Sequence, residues 1–277
     1  MPFLTQNRSF QVLKLNNNGL GPAGGATIAD ALRASAEASR REGKRSNLRT
    51  VICGRNRLEN GSAGVWAAAF AAHGTLVEVR LPQNGIRMEG IIALAEGLSK
   101  CPSLEFLDLQ DNTFSQAGSK AFGAALPSWP ALHTLNFSDC VLSKEGEVPH
   151  TIEILVTGSN PRLHTLQLQN NNLEAQTAAV LAQAIGTHLK EVSLLEFQWN
   201  EVDDEDENVQ TLLDSMKARG GKFLLNDEDE GSEEEEEEEE ETTAEDADEL
   251  LEKPDAHDSV DDDTDTLADL MSKASIN

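Results

Sequence analysis

The apolar residues of the first 225 positions follow one repeated pattern. In each unit a second apolar residue stands three positions after the first, and a third stands two positions after the second. An asparagine stands three residues beyond the third, and a fourth apolar residue comes two after it. The seven matches begin at Phe10, Leu48, Leu76, Leu104, Leu132, Leu163 and Val192. Their starts are 38, 28, 28, 28, 31 and 29 residues apart, a regularity that predicts similar units stacked in series.

The two closely spaced apolar residues of each unit predict a short β-strand, because strand side chains alternate between faces. In the third unit these residues are Val79 and Leu81, and the asparagine that follows is Asn84. An asparagine side chain both donates and accepts hydrogen bonds, so it is expected to satisfy backbone groups of the turn after the strand. In the fifth unit Cys140 takes this position.

Each strand is followed by residues with helical spacing. In the third unit Ile92, Leu94, Ala95 and Leu98 mark a predicted apolar helix face. Units of about 28 residues leave room for a full helix, so the predicted fold is α/β. It is a leucine-rich-repeat solenoid, a horseshoe of the ribonuclease-inhibitor type with parallel strands on the concave side and helices on the convex side.

Charge divides the chain into two predicted regions. Residues 1–225 are nearly neutral and form the repeat domain, whereas residues 226–277 contain 25 acids against Lys253 and Lys273. With Glu233–Glu241 as an unbroken acidic run, the second region is predicted to be a disordered tail.

Three departures from the pattern carry expectations. The first unit has about ten additional residues, which include Arg40, Arg41, Lys44 and Arg45 and predict a basic loop that extends its helix. In the fifth unit Pro149 makes the helix the least regular of the set. The first unit begins within ten residues of Met1, so no capping element is expected ahead of it, and an apolar flank and a strand edge should be exposed.

Residues that would carry catalysis are not grouped in the sequence. Cys53, Cys101 and Cys140 have no metal-ligand spacing and favour a reduced intracellular compartment. His133 and His164 occupy equivalent positions in their units, which fits surface histidines better than a metal site. No segment has the roughly 18 apolar residues that a membrane helix needs, and no glycine-rich phosphate loop is present.

The outward-facing positions therefore remain for function, and their charge changes along the chain. Early units carry bases and later units carry acids, a distribution that could orient a binding partner as well as reflect ordinary solvated charge. The bases are Lys14, Arg55, Arg57, Arg80 and Arg87, and the acids are Asp108, Asp111, Asp139 and Glu196.

Two segments resemble the Ran GTPase-activating protein family in its fungal form. They are Leu15-Asn-Asn-Asn-Gly-Leu-Gly-Pro and, most specifically, Ile52-Cys-Gly-Arg-Asn-Arg-Leu-Glu-Asn-Gly-Ser. Pro82-Gln-Asn-Gly-Ile-Arg-Met-Glu-Gly extends the resemblance, as does the order of long repeats followed by an acidic tail.

The resemblance implies a partner and a mechanism. Members of this family bind GTP-loaded Ran and accelerate hydrolysis without an arginine finger, by holding the glutamine of Ran against the attacking water. By the motif, Asn17 would orient that glutamine. Contacts with Ran are expected at Asn16, Asn18, Arg55, Asn56, Arg57, Asn60 and Asn84. The chain would then not be an enzyme itself, and it would need no cofactor or metal, since GTP and magnesium belong to the GTPase.

The same resemblance implies a monomer in the cytoplasm, with association with the nuclear envelope left open. A Ran-binding protein could join the complex, whereas direct nucleic-acid binding and membrane insertion are not expected. Family members carry several repeats ahead of the Asn-Asn-Gly-Leu unit. The chain is therefore expected to lack N-terminal repeats, as a truncated gene model or a short paralogue, and to activate less than a full-length relative.

The alternative is an acidic leucine-rich-repeat binding protein without GTPase partners, such as a histone chaperone. Such proteins also join repeats to an acidic tail, and Glu233–Glu241 could bind basic proteins. Their repeats are shorter, near 24 residues with little helix, so the 28-residue spacing argues against them.

Overall fold

The computed structural model describes residues 2–6 and 9–226, and these residues form one leucine-rich-repeat solenoid with a single parallel sheet. The eight strands of the sheet lie side by side in chain order, and each pairs in parallel with the next. The strands are β1 Val12–Lys14, β2 Thr50–Ile52, β3 Glu78–Arg80, β4 Phe106–Asp108, β5 Thr134–Asn136, β6 Thr165–Gln167, β7 Leu194–Glu196 and β8 Lys222–Leu224.

Helices alternate with the strands, so that each strand-to-strand connection passes through one helix. The helices are α1 Pro2–Gln6, α2 Gly21–Arg41, α3 Glu59–His73, α4 Met88–Leu98, α5 Ser115–Ala125, α6 His150–Leu155, α7 Ala175–Ile185 and α8 Glu207–Ala218. A 3-10 turn at Leu126–Ser128 extends α5. The predicted repeating α/β architecture is confirmed, and seven of the eight strands lie where the pattern predicted them.

The register of the sheet places one apolar side chain from every strand in the same inward row. The members of this row are Leu13, Val51, Val79, Leu107, Leu135, Leu166, Leu195 and Phe223. All but Leu13 are buried, and they pack against the inner faces of the helices. Because each repeat has only its neighbours to bury this row against, the core is continuous along the solenoid.

A ladder of asparagines, which we call the asparagine ladder, connects successive repeats beneath the turns that follow the strands. The Asn112 amide nitrogen donates to the carbonyl of Leu81 in the preceding repeat at 3.0 Å and to that of Leu109 in its own at 2.9 Å. Its side-chain oxygen accepts from the amide of Ile86 at 3.0 Å. The ladder consists of Asn18, Asn56, Asn84, Asn112, Asn171 and Asn200, with Cys140 in the fifth repeat.

The first repeat differs from the expectation of an uncapped start. The short helix α1 packs against α2 and buries Leu4, an element that the sequence pattern did not predict. The exposed flank is nevertheless present: Val12 on β1 is 52% exposed, and Leu13 and Leu15 are only half-buried. The first repeat is extended as predicted, but mainly by helix: α2 runs for 21 residues and includes Arg40 and Arg41, and only Lys44 and Arg45 lie in the loop after it.

Two other expectations are corrected by the helices and strands. In the third repeat Leu94, Ala95 and Leu98 are buried as predicted, but Ile91 is buried in place of Ile92, which is 38% exposed. The strand β8, which follows α8, was not predicted. The irregular helix of the fifth repeat is confirmed: α6 has six residues and begins directly after Pro149.

The predicted tail, residues 226–277, lies outside the described residues except for Asn226, so its disorder and the domain boundary after residue 225 stay predictions. In the described part of the chain no helix combines the length and the apolar character that crossing a membrane requires.

We expect Asn112→Ala to lower the free energy of unfolding by about 3 kcal/mol, because it leaves the buried amide of Ile86 and the carbonyl of Leu81 without partners. Urea unfolding followed by circular dichroism measures this change. Gln176→Ala, on the exposed side of α7, is the control and should change stability little. Equal effects of the two variants would contradict a connecting role for the ladder.

Candidate partner-binding rim

The turns that follow the strands form a row of residues along one edge of the sheet, which we call the rim row. Each member stands one residue before the ladder position and has a left-handed backbone, with φ between 50° and 59°. The members are Asn17, Arg55, Gln83, Asp111, Asp139, Asn170 and Trp199. The side chains of the row are exposed or half-buried. Asparagine and aspartate tolerate the left-handed conformation best among residues with a Cβ.

Backbone hydrogen bonds fix the spacing of the rim row. The amide of Asn17 donates to the carbonyl of Gly54 at 3.0 Å, and that of Arg55 donates to the carbonyl of Pro82 at 2.9 Å. The same bond recurs in the later turns, so adjacent rim residues keep the spacing of the strands, about 4.8 Å. The rim is therefore a rigid surface with one side chain per repeat.

Asn17 presents an uncommitted amide on this surface. Its side chain is exposed and makes no hydrogen bond with the described residues. Its neighbours instead hold the turns together. The Asn16 oxygen accepts from the amide of Gly54 at 2.7 Å, and the Asn18 side chain donates to the carbonyl of Asn16 at 3.0 Å. Asn16 and Asn18 thus position Asn17 and the turn beside it.

The second and third repeats, which follow that of Asn17, supply a basic group that consists of Arg55, Arg57 and Arg87. Arg55 donates to the side chain of Gln83, whereas Arg57 is exposed and makes no side-chain bond with the described residues. Arg57 also has a left-handed backbone, with φ 54°. Its charge is therefore available at the surface.

Asn60 joins this basic group to the start of α4. Its oxygen accepts from the amide of Arg87 at 2.8 Å, and its nitrogen donates to Glu89 at 2.7 Å. Arg87 is the residue before α4 and has no capping side chain of its own, so Asn60 caps the helix from the preceding repeat. Asn60 and Arg87 line an open hollow of about 610 Å³ with Glu59, Gly61, Gly85 and Thr113.

Two residues predicted to contact a partner are corrected by the structure. Asn56 and Asn84 are both 0% exposed. The Asn56 nitrogen donates to the carbonyl of Leu15 at 2.7 Å, and the Asn84 nitrogen donates to that of Cys53 at 2.8 Å. Both side chains hydrogen-bond inside the solenoid, so they support the turns of the rim row and are not part of its surface. The family motif places Asn56 between Arg55 and Arg57, whereas the repeat pattern, which expects both asparagines to bond the turns, agrees with their burial.

Sequence reasoning also missed that the rim row continues through Gln83, Asn170 and Trp199. The signal was present in the repeat pattern, since every member directly precedes the ladder position. A left-handed backbone cannot be read from residue type alone where the residue is arginine, glutamine or tryptophan, which is why the row was not recognised.

The concave face beside the rim holds a compact charged cluster. The Arg80 guanidinium lies 3.9 Å from the centre of the Phe106 ring and 2.6 Å from a Glu78 oxygen. Burial raises the pKa of Asp108, while a backbone hydrogen bond from Gln110 and the charge of Arg80 oppose that rise. Since Arg80 is engaged on two sides, the cluster orders the face rather than offering a free base.

Nothing in the described part of the chain resembles a catalytic or metal centre. No group of three or more histidine, cysteine or acidic side chains there could hold a metal ion. Burial raises the pKa of the Cys53 thiol to about 12 and that of Cys101 to about 11, so neither is a reactive thiolate near neutral pH.

Comparisons with known proteins agree with this repeat architecture. A family model described as leucine-rich repeat matches residues 6–29 and 100–123. Ran GTPase-activating protein 1 of Saccharomyces cerevisiae is 39% identical over 208 residues, which are 73% of this chain and 50% of that protein. Ran GTPase-activating protein 2 of Caenorhabditis elegans is 50% identical over 82 residues, 30% of this chain and 8% of that protein.

The chain thus spans about half the length of the yeast relative. Among solved structures, a TLR13–ssRNA13 complex aligns with 73% of this chain and 24% of that one, at 16% identity and a TM-score of 0.39. A likeness of that size adds nothing to the fold already described.

Asn16→Ala is expected to increase hydrogen exchange at the Gly54 amide, because that amide loses its acceptor at 2.7 Å. Asn16→Asp keeps an acceptor oxygen and should preserve the protection. Amide exchange measured by NMR or by mass spectrometry of the peptide that contains Gly54 distinguishes the two variants. Unchanged protection in Asn16→Ala would show that Asn16 does not hold the second turn.

Proposed function

We propose that this chain, a homologue of the Ran GTPase-activating proteins, binds GTP-loaded Ran and stimulates hydrolysis of the bound nucleotide. The chemistry would take place in Ran, because the described residues of this chain offer binding groups only. The reaction transfers a phosphoryl group to water, and its catalysis depends on positioning and on stabilising charge. A rigid rim suits the first of these requirements.

The observation that supports this proposal most directly is the free amide of Asn17. An amide donates and accepts hydrogen bonds at once, so it can hold a glutamine side chain of the partner in one orientation. The backbone of Asn17 is tied to Gly54, and the turn is tied to Asn16 and Asn18. Little conformational entropy would therefore be lost at this residue on binding.

The basic group supports a second part of the proposal. Arg57 and Arg87 are exposed in the two repeats that follow that of Asn17, and Arg87 lines the hollow together with Asn60 and Glu59. We expect them to contact an acidic surface of the GTPase and to accelerate association by electrostatic attraction. In this proposal neither enters the nucleotide site as an arginine finger. The chain would act as a monomer in the cytoplasm, and GTP and magnesium would be bound by Ran.

We predict that Asn17→Ala lowers the maximal stimulation of GTP hydrolysis on the order of 10²-fold, the scale seen when one positioned hydrogen-bond donor is removed from a catalytic site. The measurement is single-turnover hydrolysis by GTP-loaded Ran at saturating concentrations of this chain. Asn170→Ala is the matched control, since Asn170 occupies the same rim row with φ 50°. It should leave the maximal rate unchanged.

Arg57→Ala separates the proposed mechanism from an arginine finger. If Arg57 contributes attraction, the variant raises the concentration needed for half-maximal stimulation and leaves the maximal rate nearly intact. A loss of the maximal rate in Arg57→Ala, with a normal rate in Asn17→Ala, would reverse the assignment. No stimulation by the unsubstituted chain would remove the proposed function altogether.

A further inference from the structure

Trp199 is the most unusual member of the rim row. It is 58% exposed, and it lies in the turn after β7 with φ 58°. The six other members of the row are polar or charged. The two other tryptophans of the chain, Trp66 and Trp129, are completely buried. An indole at this position is therefore not required by the repeat.

The conformation of Trp199 carries a cost that burial does not offset. A left-handed backbone is unfavourable for a bulky side chain, and asparagine, which occupies this position in the first and sixth repeats, adopts it more readily. An exposed indole also leaves apolar area in water. Large aromatic side chains held rigidly at a surface are typical centres of protein-binding sites.

The chain on either side of Trp199 carries charge of a single sign. Between Glu191 and Met216 the sequence contains nine acids and no lysine or arginine. Glu201 lies two residues after Trp199 and is exposed, and Asp203, Asp204 and Glu205 continue the same connection and are exposed as well. Along the rim in the other direction, Asn170 donates to the carboxylate of Asp139 at 2.6 Å.

We infer that Trp199 and the acidic connection after it form a docking site for a cationic segment of a partner protein, with a lysine or arginine side chain over the indole face. Tryptophan is the aromatic residue that attracts cations most strongly, and nearby carboxylates reinforce the attraction. This site lies six repeats away from Asn17. It goes beyond the proposed function and does not rest on it.

The chain's own acidic residues are poor occupants of this site. Positions 227–277 carry acids far in excess of Lys253 and Lys273, so the charge that would have to approach Trp199 is of the same sign. The basic extension of α2, with Arg40 and Arg41, could reach Trp199 only from a second copy of the chain. Charge complementarity therefore favours a separate basic partner.

Tryptophan fluorescence tests the inference at a single residue, because only Trp199 is exposed. In the full chain we expect acrylamide, a neutral quencher that the carboxylates do not repel, to quench one accessible tryptophan. An arginine–glycine repeat peptide should then change the emission of that tryptophan saturably, and a glutamate–glycine peptide should not. The Trp199→Asn variant should lose both signals. Its urea midpoint should be unchanged or higher, because asparagine suits the backbone better than tryptophan does.

A charge variant provides the second arm. Glu201→Gln combined with Glu205→Gln should raise the peptide concentration at half-maximal emission change about fivefold, since two attractive charges are lost. The control removes two acids from the convex helix α2, by Asp30→Asn combined with Glu37→Gln, and should leave the midpoint in place. Both pairs change the net charge equally, so general attraction to the acidic chain cancels in the comparison.

Three results would overturn the inference. In the first, acrylamide does not reach Trp199 in the full chain, which would mean that another part of the chain or a second copy covers it. In the second, the arginine peptide binds without changing the emission of Trp199, which would place the binding elsewhere. In the third, Trp199→Asn destabilises the fold markedly, which would assign the indole to structure.

Discussion

The hydrogen bonds of the asparagine ladder are the interaction on which the rest of the structure depends. Strands of three residues make too few hydrogen bonds to hold a parallel sheet by themselves. After each strand the chain enters a turn whose backbone groups no longer have partners in the sheet. In the second, third, fourth and sixth repeats a buried amide satisfies those groups on both sides. Asn112, for example, bonds the repeat before it and its own turn simultaneously. The ladder therefore sets both the stacking of the repeats and the shape of each turn.

Within each turn the ladder residue stabilises the fold, whereas the residues directly beside it are exposed and available for binding. Because Asn56 is fully buried and rigidly bonded, the residues on either side of it are forced outward in left-handed conformations, as Arg55 and Arg57 are. A side chain in such a position contributes little to the core, so it can change without disturbing the solenoid. The rim consequently carries amides, bases, acids and one indole on an almost constant backbone.

The sequence was sufficient to predict the fold because the pattern states the physical requirement directly: inward apolar residues at fixed spacing and an asparagine at the turn. It was less informative where neighbouring residues compete for one position. On α4, Ile91 and Ile92 are chemically equal, and only the packing shows that Ile91 is the buried one. The last strand, β8, has no ladder asparagine after it, and so lacked the signal that identified the others.

The candidate site was predictable to a similar degree and for a related reason. A motif identifies a segment, but a segment contains side chains that point in opposite directions. Within Gly54–Arg57 the structure assigns Asn56 to the ladder and the two arginines to the surface, a division that follows from backbone geometry and hydrogen bonding rather than from residue type. Because the rim position has a left-handed backbone, a residue there that tolerates this backbone poorly is informative. Where the rim row has an asparagine or aspartate, backbone preference is a sufficient explanation, whereas an exposed tryptophan in the same conformation opposes both backbone preference and solvation. A residue that costs free energy in the isolated chain points to a contact made outside it.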